Sequence, residues 1–84
     1  MNKLVGDARR YAVLRELKLR AEVEGLVAEL TNIRAQISKA LRLRDPIARV
    51  MLVQQLQERY GTTRVTFDRT NGELIAERRA LGMS

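Results

Sequence analysis

The sequence contains neither cysteine nor histidine. Their absence excludes disulfides, thiolate metal sites, the thiol nucleophile and the commonest general base. The five glycines are scattered singly, so the chain also has no glycine-rich loop that could hold a phosphate. We therefore expect a non-catalytic protein that binds no metal and no cofactor.

Long apolar runs are also missing. The longest uncharged stretch, Val50–Gln57, is far shorter than the roughly 18 residues that a membrane-spanning helix needs. Asp7, Arg9 and Arg10 interrupt any apolar segment after Lys3, so the start of the chain does not resemble a signal peptide. These features predict a soluble, cytoplasmic protein without a membrane partner.

Aromatic residues are few, being limited to Tyr11, Tyr60 and Phe67. Leu, Ile and Val must therefore supply most of the core of what is, at 84 residues, one small domain. We expect the three aromatic side chains to pack in this core rather than to stack on nucleic-acid bases.

The only proline is Pro46, which leaves a long uninterrupted segment before it. With Asp7 as a candidate N-cap, this segment predicts a helix over residues 8–44. Its apolar residues recur at spacings of three and four and fit the a and d positions of a heptad. The residues of this seam are Val23, Leu26, Leu30, Ile33 and Ile37. A seam of this kind needs a partner, so these five residues are candidate oligomer-interface residues.

The length of the predicted helix supports the same expectation. A compact domain of this size is about 30 Å across, whereas the helix would be about 54 Å long. We therefore expect a homodimer or higher oligomer. Leu14, Leu17 and Ala21 form a second apolar set on the opposite side of the helix. We expect the segment after Gly61 to cover this set, within its own subunit or across the dimer.

A second helix is predicted over residues 46–60. Pro46 disfavours the α region for Asp45, whose carboxylate can then cap a helix that begins at the proline. Gly61 is suited to the left-handed position that ends a helix. The short connection predicts that the two helices fold into an antiparallel helical hairpin.

The region after Gly61 is less regular. Residues 62–68 alternate, with Thr63, Val65 and Phe67 on one side, which is typical of a short strand. Residues 71–81 fit two alternatives, a returning strand after the Asn71-Gly72 turn or a short helix. The predicted fold is therefore mainly α, a coiled-coil-like dimer of helical hairpins with a strand-like segment and a short C-terminal element.

The net charge of +6 is unevenly distributed. A basic cluster surrounds the predicted hairpin turn, where long cationic side chains could contact phosphates without reading bases. The cluster consists of Arg34, Lys39, Arg42, Arg44 and Arg49. These are the candidate nucleic-acid-binding residues, and the alternative is that they are ordinary solvated surface.

The last 13 of the 84 residues, GELIAERRALGMS, resemble the first helix of lambda-repressor-like helix-turn-helix domains. The resemblance implies that Leu74, Ile75 and Leu81 are core positions and that Ser84 caps a following helix. It does not include the helix that enters the major groove in such domains. It implies a role in transcription regulation.

Two functions follow from the sequence. The first is a small basic helical oligomer associated with DNA or with a DNA-bound regulatory complex. The second is a protein–protein adaptor, assembly factor or inhibitor with no nucleic-acid contact. A steep salt dependence of binding to DNA of random sequence would distinguish them.

Overall fold

The computed structural model shows two long helices joined by a short turn. Helix α1 spans Asn2–Ala40 and helix α2 spans Pro46–Ala80. The structure describes residues 2–82, with side chains from Asp7 onward. The helices pack antiparallel along their lengths and form a hairpin that measures 67 × 18 × 14 Å. The predicted helical hairpin is therefore confirmed.

The turn between the helices has the predicted chemistry. Asp45 is extended, at φ −72° and ψ 115°, and its Oδ1 accepts hydrogen bonds from the backbone amides of Ile47 at 3.0 Å and Ala48 at 3.5 Å. Pro46 opens α2, where its lack of an amide hydrogen costs nothing. The boundary at Asp45-Pro46 is thus set by local chemistry.

The predicted bounds of the first helix, residues 8–44, were wrong at both ends. Asp7 lies inside α1 rather than at its N-cap, because no proline precedes it to prevent the helix from starting earlier. At the other end, the Leu43 amide donates to the Ala40 carbonyl at 3.1 Å in a tighter turn. Residues 41–45 are needed to reverse the chain, so α1 stops at Ala40.

The second helix is much longer than predicted. Gly61 lies inside α2, and residues 62–68 are helical rather than a strand. The separate element predicted over residues 71–81 is the last part of the same helix, and residues 2–82 contain no strand. Within this range, only Gly82 has a positive φ, of 77°. It therefore takes the role at the helix end that the sequence suggested for Gly61.

The alternation after Gly61 was misleading because two of the alternating residues, Thr63 and Phe67, also fit a heptad. Thr63 and Thr70 are buried and Phe67 is half-buried, so the inward positions follow helical spacing. The inward series of α2 is Val53, Leu56, Tyr60, Thr63, Phe67, Thr70 and Leu74. Packing against α1 therefore overrides the local preference of threonine and valine for strands.

The inward series of α1 is longer than the predicted seam. It consists of Ala12, Glu16, Leu19, Val23, Leu26, Leu30, Ile33, Ile37 and Ala40. The tightest packing lies near the turn, where Ile33, Ala40 and Leu56 are buried with Val53 and Tyr60 against them. Ile33 is fully buried, so this end of the hairpin has the best-formed core.

The second helix explains how so long a first helix can occur in so small a chain. The molecule is not globular, since its radius of gyration is 19.0 Å rather than the roughly 12 Å of a compact chain of this length. With 35 residues, α2 covers the seam within one chain. The length of α1 therefore no longer requires a second subunit.

The segment after Gly61 packs on α1, but not on the face that the sequence indicated. Leu14 and Leu17 remain 59% and 48% exposed, and Ala21 is exposed as well. Within one subunit this segment does not cover them, because its inward residues continue the heptad of the main seam. Cover across a dimer stays a prediction. One apolar face of α1 is therefore left uncovered by α2.

Candidate functional site

The clearest candidate site is the end of the hairpin that carries the turn. Between residues 41 and 52, six large apolar side chains are exposed to solvent. We call this set the turn-end patch; it consists of Leu41, Leu43, Ile47, Val50, Met51 and Leu52. Ile47 is 72% exposed. The first two turns of α2 therefore present apolar groups on sides that α1 does not cover.

Three of the five predicted phosphate-binding residues lie at the same end. Lys39, Arg42 and Arg44 are exposed. Among the side chains that the structure describes, no carboxylate pairs with these three cations. The acidic group nearest in sequence, Asp45, directs its Oδ1 at the first amides of α2. The turn end is thus both apolar and positively charged.

The other two residues of the basic cluster have partners inside the chain. Arg34 donates from Nη2 to the hydroxyl of Tyr60 at 2.7 Å, and its guanidinium lies 5.4 Å from the centre of that ring. Arg49 is half-buried and donates from Nη1 to the Leu43 carbonyl at 3.4 Å. The structure therefore divides the predicted cluster into three solvent-facing cations and two structural ones.

Two shallow hollows flank the turn end on opposite edges of the hairpin. The larger, of about 440 Å³, is lined by Leu41, Arg49, Val50, Val53, Gln54 and Gln57. The smaller, of about 240 Å³, is lined by Gln36, Lys39, Ala40, Leu43, Leu52 and Leu56. Both are continuous with the turn-end patch. Their shape suits side chains of a docked partner better than a small substrate, which would be held in an enclosed cleft.

The five candidate oligomer-interface residues lie in the seam between the helices. Leu30 and Ile33 are buried and the other three are half-buried, all within a single chain. The residues that the sequence assigned to a second subunit thus pack against α2. Self-association itself stays a prediction.

Toward the open end of the hairpin a charged network lies beside the buried Leu19 and Leu74. Glu16 is only 2% exposed, and both its oxygens accept from Nη2 of Arg20, at 2.8 and 3.0 Å. Arg78 of α2 donates to the same carboxylate from Nε at 3.2 Å. The hydrogen bond from Arg20 holds the pKa of Glu16 below its ordinary value; burial opposes this shift and Arg78 adds to it.

Sequence reasoning missed this network. Its signal was the position of Glu16, which falls on the inward heptad series four residues after Ala12 and three before Leu19. Two weaker ion pairs also join the helices. Arg15 lies 3.5 Å from Glu77, and Arg59 lies 3.7 Å from Glu29. These pairs are partly exposed, so they contribute more to alignment of the helices than to stability.

The aromatic residues are only partly where the sequence placed them. Tyr60 and Phe67 are half-buried between the helices, whereas Tyr11 is 72% exposed. The prediction of a core position was therefore wrong for Tyr11. The hydrogen bond from Arg34 lowers the pKa of Tyr60; burial works against it and Arg64 adds to it. Arg64 also pairs with Asp68 at 3.2 Å, which raises the pKa of the arginine.

Two other kinds of feature are absent from the part of the chain that the structure describes. No group of three or more acidic side chains there is arranged to hold a metal ion. Neither helix has a stretch that is both long and apolar enough to cross a membrane. The turn end therefore remains the main candidate for contact with another molecule.

Comparison with known proteins finds no relative of this chain. No family model, curated protein or solved structure matches the chain. In the segment that resembles a helix-turn-helix domain, Leu74 is buried and Leu81 is half-buried, but Ile75 is 43% exposed. Ser84, the expected cap of a following helix, lies outside the described residues. The function must therefore be argued from the geometry of this chain.

Proposed function

We propose that the protein is a non-catalytic interaction module, a helical hairpin whose turn end docks on an acidic protein surface with an apolar hollow. One observation carries the proposal. Six large apolar side chains are exposed around a single turn together with three solvent-facing cations. Isolated exposed apolar side chains are normal on a protein surface, but a contiguous group of them marks an interaction site.

The turn-end patch is large enough to supply useful binding energy. Fully burying one Leu, Ile, Val or Met side chain contributes about 1.5–3 kcal/mol. Burying several side chains of the patch would therefore exceed the cost of association and leave a net affinity. Micromolar affinity corresponds to a net free energy of about 8 kcal/mol. The patch lies on helix ends and on a turn fixed by the Asp45 cap. Little ordering is therefore needed on binding.

The positive charge of the turn end favours a partner with an acidic surface. Lys39, Arg42 and Arg44 repel any basic surface, including the turn end of a second copy. Carboxylates around an apolar hollow complement them, accelerate encounter and fix orientation. An acidic protein surface therefore matches both the apolar and the charged part of the site.

DNA association, predicted from the sequence, is the second candidate. It is favoured by the exposure of Lys39, Arg42 and Arg44 at one end of a chain with net charge +6. Such contacts would be to phosphates and would carry no sequence information. The exposed aliphatic side chains have no role in phosphate contacts, so this candidate explains less of the site. A role in transcription regulation depends on it. That role and a cytoplasmic location remain predictions.

A titration monitored by NMR of the methyl groups can test the proposal. The probe is a synthetic amphipathic helical peptide with a leucine stripe flanked by glutamates, and the matched peptide has glutamine in place of glutamate. Met51→Asp disrupts the patch, and Arg42→Glu with Arg44→Glu reverses the charge. Val65→Asp is the control, because Val65 is 69% exposed on α2 and about 30 Å along the helix from Asp45.

The proposal expects the acidic peptide to bind, with shifts concentrated on Leu41, Ile47 and Met51. Both turn-end variants should lose most of this binding, the control should keep it, and the glutamine peptide should bind more weakly. Duplex DNA of random sequence is the second probe. Strong DNA binding that the charge reversal abolishes but Met51→Asp leaves intact would favour the second candidate. Absence of any effect at the turn end would contradict both.

A further inference from the structure

The face of α1 that points away from α2 has the same spacing as the seam. Its residues recur at intervals of three and four, and all of them are exposed in the single chain. We call it the outer face; it consists of Leu14, Leu17, Ala21, Glu24, Ala28, Thr31, Ala35 and Ser38. Two helix-packing series on one helix imply two neighbours, and α2 supplies only the first.

The side chains of the outer face become smaller along the helix, from its N-terminal toward its C-terminal end. Its large side chains, Leu14 and Leu17, lie at one end, and its small ones, Ala35 and Ser38, lie at the other. Thr31 behaves as a small apolar residue here, because its hydroxyl already donates to the Val27 carbonyl at 2.9 Å. Burying Thr31 would therefore not leave its hydroxyl without a partner.

We propose that a second copy of this chain covers the outer face in an antiparallel, two-fold arrangement centred near Leu26. This register places Leu14 opposite the partner's Ser38 and Leu17 opposite the partner's Ala35. Large side chains then meet small ones at both ends of the contact, so neither end holds the two helices further apart than the other. A parallel pairing would place leucine on leucine at one end and leave a gap at the other.

A second set of exposed apolar side chains fits the same two-fold arrangement. Along one edge of the outer face, Val13, Val27 and Leu41 are 41%, 46% and 57% exposed. Val13 and Leu41 are each 14 positions from Val27. The antiparallel register therefore pairs Val13 with the partner's Leu41 and places Val27 beside the partner's Val27. Apart from Tyr11, the dimer thus buries every large apolar side chain that the described part of α1 exposes.

Gly25 also fits this arrangement. A Cβ added at Gly25 would meet no atom within 4 Å in the single chain, so packing against α2 does not require glycine there. In the dimer, Gly25 lies beside the two-fold axis, where the absence of a side chain lets the two backbones approach closely. The small residues Ala21 and Ala28 are on the same part of the face.

The charges on and beside the face set the strength of the contact. The only charged residue on the face, Glu24, lies near the axis and would face the partner's Glu24 at close range, which weakens association. At the edge, Arg20 would lie near the partner's Arg34, but Glu16 neutralises Arg20 and Tyr60 engages Arg34. The same register places the exposed Arg10 opposite the partner's Arg42, where like charges also repel. The Glu24 contact and this arginine contact are the main electrostatic costs.

The size of the contact implies a reversible dimer. From Leu14 to Ser38 the face is about 36 Å long, and a helix is about 10–12 Å wide. The footprint is thus on the order of 400 Å² per subunit, below the roughly 800 Å² of a standard interface. Each hairpin already buries its own seam, so the subunits are expected to remain folded when the dimer dissociates on dilution.

Sedimentation over a range of concentrations tests the proposal. The parent chain should shift from monomer to dimer as concentration rises. Leu17→Asp should weaken dimerisation at least about tenfold, because it buries an unpaired carboxylate. Glu24→Gln should strengthen it, and Val65→Asp, on the exposed side of α2, should leave it unchanged. A parent chain that stays monomeric throughout, or a dimer that Leu17→Asp does not weaken, would overturn the proposal.

The orientation can be tested separately because the chain has no cysteine. A disulfide requires the two Cα atoms to lie within about 7 Å. Under mild oxidation, Leu17→Cys mixed with Ala35→Cys should give a crosslinked heterodimer, and neither variant alone should crosslink. Crosslinking of Leu17→Cys with itself would show a parallel pair and overturn the antiparallel register. Leu41 belongs to both surfaces, whereas Ile47 and Met51 are not used here. Failure of this dimer is therefore distinguishable from failure of turn-end docking at Ile47 and Met51.

Discussion

Glu16 of α1 accepts a hydrogen bond at 3.2 Å from Arg78 of α2, a residue 62 positions further along the chain. The bond joins the two helices near the open end of the hairpin, where apolar contacts are sparse. Glu16 can be tolerated at an inward heptad position because Arg20 also donates hydrogen bonds to both of its oxygens.

The first prediction concerns replacement of this carboxylate. Glu16→Ala should lower Tm and increase hydrogen exchange near the open end, because it removes the shared acceptor of Arg20 and Arg78. Glu16→Leu should lower Tm less, or raise it, because leucine suits the heptad and both arginines can turn to solvent. Thermal unfolding followed by circular dichroism measures both. A Glu16→Ala variant as stable as the parent would show that the network contributes nothing.

The second prediction concerns pH. Because the pKa of Glu16 is lowered in the folded chain, the network stabilises the fold above the ordinary pKa of a glutamate. This contribution is lost as pH falls through the lowered value. The stability difference between the parent and Glu16→Gln should therefore be full near neutral pH and shrink below pH 4.5, the ordinary value. Urea titrations at several pH values measure it, and a constant difference would contradict the prediction.

The third prediction concerns the core near the turn. Ile33 is fully buried, so Ile33→Ala should reduce the free energy of unfolding by about 2–5 kcal/mol. Val65→Ala is the matched control, since Val65 is 69% exposed and its replacement should change stability by no more than about 0.5 kcal/mol. Denaturant unfolding of both variants measures the difference. Equal effects would mean that the helices do not pack through Ile33.

The fourth prediction distinguishes a continuous α2 from the strand that the alternating residues suggested. A Cβ at Gly61 would meet nothing within 4 Å, so Gly61→Ala should stabilise the helix by up to about 1 kcal/mol. Gly82→Ala should destabilise it, because Gly82 has a φ of 77° that alanine adopts only with strain. Thermal unfolding compares the two. Destabilisation by Gly61→Ala would place the helix end at Gly61 after all.

The hairpin turn was predictable because its chemistry is local. Asp45 and Pro46 are adjacent, and each restricts the same few dihedral angles whatever the rest of the chain does. The extent of α2 was not predictable in this way. Thr63 and Phe67 fit both the period of two that includes Val65 and the helical spacing of four, and only contact with α1 decides between strand and helix.

The candidate site, too, was predictable only where it depends on residues that are close together in the sequence. The basic residues around the turn could be found from composition and spacing alone. The engagement of Arg34 by Tyr60 could not, because the two residues are 26 positions apart and meet only in the folded hairpin. The turn-end patch was also missed, because the local sequence does not show which apolar residues of the first turns of α2 are left uncovered by α1. The structure exposes most of them because α1 ends at Ala40.

The antiparallel arrangement has a consequence for the order in which the chain folds. Contacts near the turn, such as Ala40 with Leu56, join residues close in sequence, whereas Glu16 and Arg78 close a loop of most of the chain. The entropy cost of closing a loop rises with its length, so pairing is expected to begin at the turn and to proceed toward the open end. The core around Ile33 would then belong to the folding nucleus. The network at Glu16 would form last and would govern the rate of unfolding more than the rate of folding.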